Sequence, residues 1–113
     1  MSGNRKLGKP TDQRKAMLRA MVTYLLENGQ IKTTLARAKE VAPLAEKMIT
    51  LSNKTHQAAY RQPLAFITKE DVAHKLFTEM NQKYMTRDGG YTRIVRIGPR
   101  KGDAAEMAII QLV

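Results

Sequence analysis

Arg87-Asp-Gly-Gly-Tyr-Thr-Arg-Ile-Val-Arg-Ile-Gly-Pro-Arg-Lys-Gly-Asp103 is the stretch that decides the reading of this chain. From Tyr91 to Ile97 most positions are β-branched or aromatic, the side chains that suit a pleated surface, so the pattern predicts a strand. Gly89-Gly90 lets the backbone turn into that strand, because glycine adopts positive φ without steric cost. Gly98-Pro99 is expected to end it, leaving Arg100-Lys101-Gly102 as a flexible cationic tip. Arg87, Arg93, Arg96, Arg100 and Lys101 place five positive charges here. The stretch reads as half of a hairpin with an anion-binding edge.

The partner strand lies downstream. Met107 to Val113 is nearly continuous apolar, which predicts a buried final strand pairing back onto Tyr91–Ile97. The nine residues between the two make a long loop, and long loops in small domains are usually functional. Upstream, Gln30–Thr34 is short and partly alternating and is expected to form another strand.

Three helical stripes complete the plan. Thr11 or Asp12 can cap a helix running to about Leu26, with Leu18, Met21, Val22 and Leu25 on one face and Asn28-Gly29 as its stop. Thr33 or Thr34 caps a second, in which Ala38, Val41, Ala42, Ala45, Met48 and Ile49 keep a stripe to about Ser52. Pro43 should kink or restart that helix. Asn53 to Gln62 hints at a short helical turn, and Pro63 could open another over residues 64–67. Thr68-Lys-Glu-Asp71 resembles a capping box before a third stripe, Val72, Ala73, Leu76, Phe77 and Met80, ending near Tyr84. The expected class is α+β: about three helices packed on a small sheet of about three strands, with an extended basic N-terminal arm. One domain is expected over 1–113, the arm being 1–10 and the globular part 11–113.

Charge narrows the partners. Twenty Lys and Arg against ten Asp and Glu give +10 and a pI near 10.2. Residues 1–20 carry a net +5 and residues 87–102 a net +4, while the rest nearly balances at +1. Such concentration points to a polyanion, nucleic acid ahead of an anionic membrane. The arm, with Arg5, Lys6 and Lys9, holds one large aliphatic residue (Leu7) and is expected to order on its partner. Lys15 and Arg19 share a helix face flanked by Arg14. Lys32, with the free N–H groups near Thr33 and Thr34, offers a phosphate seat, and an ordinary Thr cap beside an exposed Lys reads equally well.

Several classes drop out. Without cysteine there is no disulfide framework or thiolate metal site. No signal peptide is expected, and no apolar run approaches the roughly 20 residues that cross a bilayer, so a soluble chain is expected. His56 and His74 are eighteen apart with no paired spacing, so no metal site is expected. No phosphate loop, dinucleotide fingerprint, nucleophile motif or catalytic constellation is present. An enzyme, a cofactor and a small-molecule substrate are therefore not expected.

The motifs also match a family. Arg5-Lys-Leu-Gly-Lys9, Arg14-x-Ala-Met-Leu-Arg19, Ile31-Lys-Thr-Thr34, Ala38-Lys-Glu40 and Pro43-Leu-Ala-Glu-Lys47 are followed by Val72-Ala-x-Lys-Leu-Phe77, Gly89-Gly-Tyr-Thr-Arg93 and Arg100-x-Gly-Asp103. In that order, and with the terminal apolar strand, they resemble the bacterial large-subunit ribosomal protein numbered seventeen over nearly the whole chain. The family commonly has His where Gln13 stands and Asn where Ala20 stands, and Asn4 and Pro10 also depart from it. The resemblance implies an α+β structural component of the cytoplasmic ribosome's large subunit, bound to its 23S rRNA near the peptide exit side and to neighbouring large-subunit ribosomal proteins. Candidate RNA-binding residues are Arg5, Lys6, Lys9, Arg14, Lys15, Arg19, Lys32, Thr33, Thr34, Arg37, Arg87, Tyr91, Arg93, Arg96, Arg100 and Lys101. Lys and Arg would neutralise phosphates, and Tyr91 could stack on a base, although strand aromatics more often pack in the core. Rival readings are an architectural DNA-binding protein, a small basic nuclease and a peripheral membrane protein.

Overall fold

The structure, a computed structural model, describes residues 11–52, 65–80, 83–84 and 89–113. The basic arm, the turn expected at Asn53–Gln62 and Arg87 lie outside the described residues. Helix α1 (Thr11–Asn28) buries Leu18, Val22, Leu25 and Leu26, the face its apolar spacing dictates. Gly29 ends it at φ +85, where a side chain would be strained, and its N–H donates to the Leu25 carbonyl across 2.8 Å. Strand β1 (Gln30–Thr34) follows at once.

Thr34 caps α2 (Leu35–Ser52): its Oγ1 accepts the Arg37 N–H at 3.3 Å, satisfying one orphan donor of the first turn. Of the kink or restart expected at Pro43, the restart does not occur: α2 runs as one helix through it. Pro43 and Lys39 both lie on its exposed side. The carbonyl that Pro43 leaves without a helical donor therefore faces water. Ala38, Val41, Ala45, Met48 and Ile49 form the buried stripe.

The third helix departs from its expected start. Helix α3 (Glu70–Lys75) has Lys69 at its N-cap with no side-chain cap bond, and it widens into a π-helical turn at Leu76–Met80. Thr68 does not cap it. Its N–H and its hydroxyl both donate to Thr23 Oγ1 on α1, at 3.1 and 3.2 Å. Val72, Ala73, Leu76 and Met80 are buried, whereas Phe77 is half-buried.

Strands β2 (Thr92–Pro99) and β3 (Glu106–Leu112) form the expected antiparallel pair, and β1 joins the other side of β3, giving the order β1-β3-β2. The strand runs on through Gly98 and ends at Pro99, within the dipeptide expected to end it. It passes through an irregularity between Arg96 and Gly98, so that Pro99 stands opposite Glu106. Gly98 at φ +92 supplies the backbone conformation that a bulge requires, and Pro99 costs no ladder bond at the open edge.

Register assigns the faces. Ile31, Thr33, Ala108, Ile110, Leu112 and Ile94 stand on the side covered by the helices. Gln30, Lys32, Met107, Ile109, Gln111, Arg93 and Val95 stand on the outer side. The apolar run of β3 is therefore central but not buried on both faces, because the helices pack on one face only. Tyr91, just before β2, is 1% exposed and meets Tyr84 edge-on at 5.0 Å between ring centroids.

Candidate nucleic-acid interface

Backbone pairing brings charges from distant sequence onto the outer face. Across the three strands, Gln30, Gln111 and Arg93 form one row and Lys32, Ile109 and Val95 the next. The first row is joined side chain to side chain. Arg93 donates from Nη2 and Nε to Gln111 Oε1 at 2.9 and 3.3 Å, and Gln111 Nε2 donates to Gln30 Oε1 at 3.3 Å. Because these partners are neutral amides, Arg93 keeps its charge toward solvent while its planar fork is held in place. Val95 and Ile97 are among the few large apolar side chains left exposed, at 40% and 43%.

The hairpin tip is braced rather than loose. Arg100 donates from Nε to Asp103 Oδ1 at 3.1 Å and from Nη2 to Asp103 Oδ2 at 2.6 Å. The Ala105 N–H donates to the same Oδ1 at 3.1 Å, and the Arg100 N–H donates to the Ala105 carbonyl at 2.7 Å. These bonds, led by that from Arg100, hold the Asp103 carboxyl down at about 2 and raise Arg100 above its ordinary value. Arg100 thus spends its fork inside the turn. Lys101 is the tip cation with no ion-pair partner among the described residues. Lys32, Ile97, Gly98, Pro99, Arg100, Lys101 and Met107 line a shallow groove of about 220 Å³. It joins β1 to a hairpin tip some seventy residues away in sequence.

The remaining candidates separate into groups. Arg93 and Arg96 point to opposite faces, being three apart on a strand. Arg96 lies 3.8 Å from Glu106, and both side chains are largely exposed. Lys15 is exposed on α1, and Arg37 is half-exposed in the first turn of α2. Thr33 is buried opposite Ala108, and Thr34 serves as the helix cap.

Two expected contacts, Arg14 and Tyr91, are buried instead, and a third, half-buried Arg19, is bonded within the molecule. Arg14 is 8% exposed, and its Nη2 donates to Glu40 Oε1 on α2 at 2.6 Å. Tyr91 is a core residue. Arg19 donates from Nε to the Phe66 carbonyl at 2.9 Å and from Nη2 to the Ala65 carbonyl at 2.6 Å, with its guanidinium 5.8 Å from the Phe66 ring centre.

A ladder on α1 went unread in the sequence. Arg19, Thr23 and Glu27 recur every four residues, and each holds the segment around α3: Arg19 takes 65–66, Thr23 takes Thr68, and Glu27 takes Lys69 at 3.0 Å. The Lys75 ammonium donates to the Glu27 carbonyl at 3.1 Å. The i, i+4, i+8 spacing was the available signal, masked by mixed residue types. Among the described residues no group of three or more His, Cys, Asp or Glu could hold a metal ion, and no helix is long and apolar enough to cross a membrane.

The family described as Ribosomal protein L17 matches residues 17–113. A protein named large ribosomal subunit protein bL17 from Clostridium tetani is 56% identical over 113 residues, covering all of both chains. Proteins of that name from Clostridium acetobutylicum and Clostridium botulinum are 58% and 57% identical, the first over 99% of this chain and 98% of its own, the second over all of both.

Proposed function

The chain belongs to the ribosomal protein L17 family, and on that footing we propose that it grips 23S rRNA through its outer sheet face and hairpin. It is a structural constituent of the bacterial large ribosomal subunit, in the cytoplasm, and not an enzyme. The finer reading is that Lys32, Arg93 and Lys101, with exposed Arg96 on the other side of the hairpin, neutralise phosphates and release counterions, while Arg100 braces the tip through Asp103. Folded RNA is met by shape and by its unpaired elements, with the protein holding helices together during assembly. Arg5, Lys6, Lys9 and Arg87 add charge from outside the described residues, and neighbouring subunit proteins complete the surroundings.

The observation carrying this reading is the convergence of Lys32 with Arg100 and Lys101 around one groove. Scattered solvation charges have no reason to meet there from remote segments. Binding of purified protein to 23S rRNA, compared with a Lys32→Glu/Lys101→Glu variant and with Arg93→Glu/Arg96→Glu, tests it. Both variants should retain the wild-type circular dichroism and lose at least tenfold in affinity at moderate salt. Unchanged binding by both would overturn the assignment of this face.

A further inference from the structure

We propose that the cleft between α1 and α2 seats an unstacked base of large-subunit RNA. This rests on the RNA-binding reading above but concerns the helical layer, not the outer face of the sheet. The cleft encloses about 500 Å³, inside the roughly 300–1,000 Å³ typical of ligand sites. Leu18, Leu44, Met48 and Phe66 make its apolar floor, and Lys15 and Lys47 stand at its rim. Both lysines are exposed and belong to no ion pair among the described residues. Among the described residues no carboxylate lines the cleft.

Its wall is held in position. Arg19 reaches across from α1 to the Ala65 and Phe66 carbonyls and covers the Phe66 ring, which fixes that ring beside α1 and α2. A flat apolar group bonded to anions satisfies floor and rim together, and a nucleotide whose base has left its stack is that group. The apolar side chain of a protein partner would fill the floor and leave two lysines without counter-charge. Paired bases in a duplex cannot enter. The occupant is therefore a bulged or single-stranded nucleotide.

Photocrosslinking of the full chain to a 23S rRNA transcript containing 4-thiouridine tests this, with crosslinked peptides mapped by mass spectrometry. Crosslinks should fall in peptides carrying Met48 or Phe66 as well as in the β2–β3 hairpin. Lys15→Glu/Lys47→Glu should reduce the cleft crosslinks at least tenfold and leave those of the hairpin. Leu44→Lys adds a cation while obstructing the floor, so a base seat predicts weaker cleft crosslinking despite the extra charge. Stronger crosslinking in Leu44→Lys, or hairpin crosslinks with untouched cleft peptides, overturns the base seat and leaves the sheet interface standing. A wild-type chain that binds no rRNA removes both.

Discussion

Arg14 on α1 and Glu40 on α2 meet at 2.6 Å with both side chains 9% exposed, a cross-helix ion pair inside the helical layer. Breaking a charge pair so enclosed is costly, because removing either residue deprives the other, still buried, of this counter-charge. Arg14→Ala should therefore destabilise the fold by about 3–5 kcal/mol. Urea unfolding would measure this, and a double Arg14→Met/Glu40→Leu variant should recover most of the loss. Single and double variants of similar stability would show that the pair contributes little.

The Thr23 hydroxyl is a relay between helix and segment. It accepts from Thr68 twice and donates to the Arg19 carbonyl at 2.8 Å. Thr23→Val keeps the shape and removes the acceptor, so stability should fall by about 1–3 kcal/mol. Amide exchange at Thr68 should speed up far more than at Ile110 in the sheet core. Equal acceleration at both would mean global loosening instead of local release.

Asp103 should titrate near 2, not 3.8. Its carboxylate is favoured in the folded turn, so the brace on Arg100 is fully present above about 4. It weakens as pH falls through the depressed value. Carboxyl chemical shifts followed from pH 6 to 1.5 would give the midpoint, and Arg100→Ala should move it back toward 3.8. A midpoint that ignores Arg100→Ala would assign the depression to the backbone donor of Ala105.

Gly29 holds φ +85 at the α1 to β1 corner, and its carbonyl accepts the Leu112 N–H at 2.9 Å. Added side-chain atoms would meet open space, so the cost of Gly29→Ala is conformational. About 1–2 kcal/mol is expected. Thermal unfolding of this variant beside Asn28→Ala separates the backbone effect from loss of the Asn28 side chain. A Gly29→Ala protein as stable as wild type would refute it.

If Lys32 and Lys101 each neutralise a phosphate, Lys32→Ala/Lys101→Ala should flatten the dependence of log affinity on log salt by roughly 1.4–1.8. Titration against 23S rRNA between about 50 and 200 mM salt reads this. A parallel shift without a change in slope would place the lysines outside the contact.

The spacing of α1 and α2 was readable because a helix that must bury one stripe repeats its apolar residues on a fixed period, as Leu18, Val22 and Leu25 do. The α3 start was misread for a physical reason. Thr68 carries the residue type of a cap, but Thr23 offers its hydroxyl a partner in space. Arg14 and Arg19 looked like surface cations because nothing local signals Glu40 or the carbonyls of residues 65–66.

Composition, period and ordered motifs alone determined the α+β class, the strand pairing of the C-terminal hairpin, the cationic character and the family resemblance. Those properties are written in neighbouring residues, where local sterics and one-sided burial decide. Which cations remain available was settled only by the tertiary structure. It buried Arg14, tied Arg19 to the carbonyls of residues 65–66 and closed Arg100 onto Asp103. It also carried Lys32 to the hairpin tip, since register across β3, and not proximity along the chain, fixes what stands beside what.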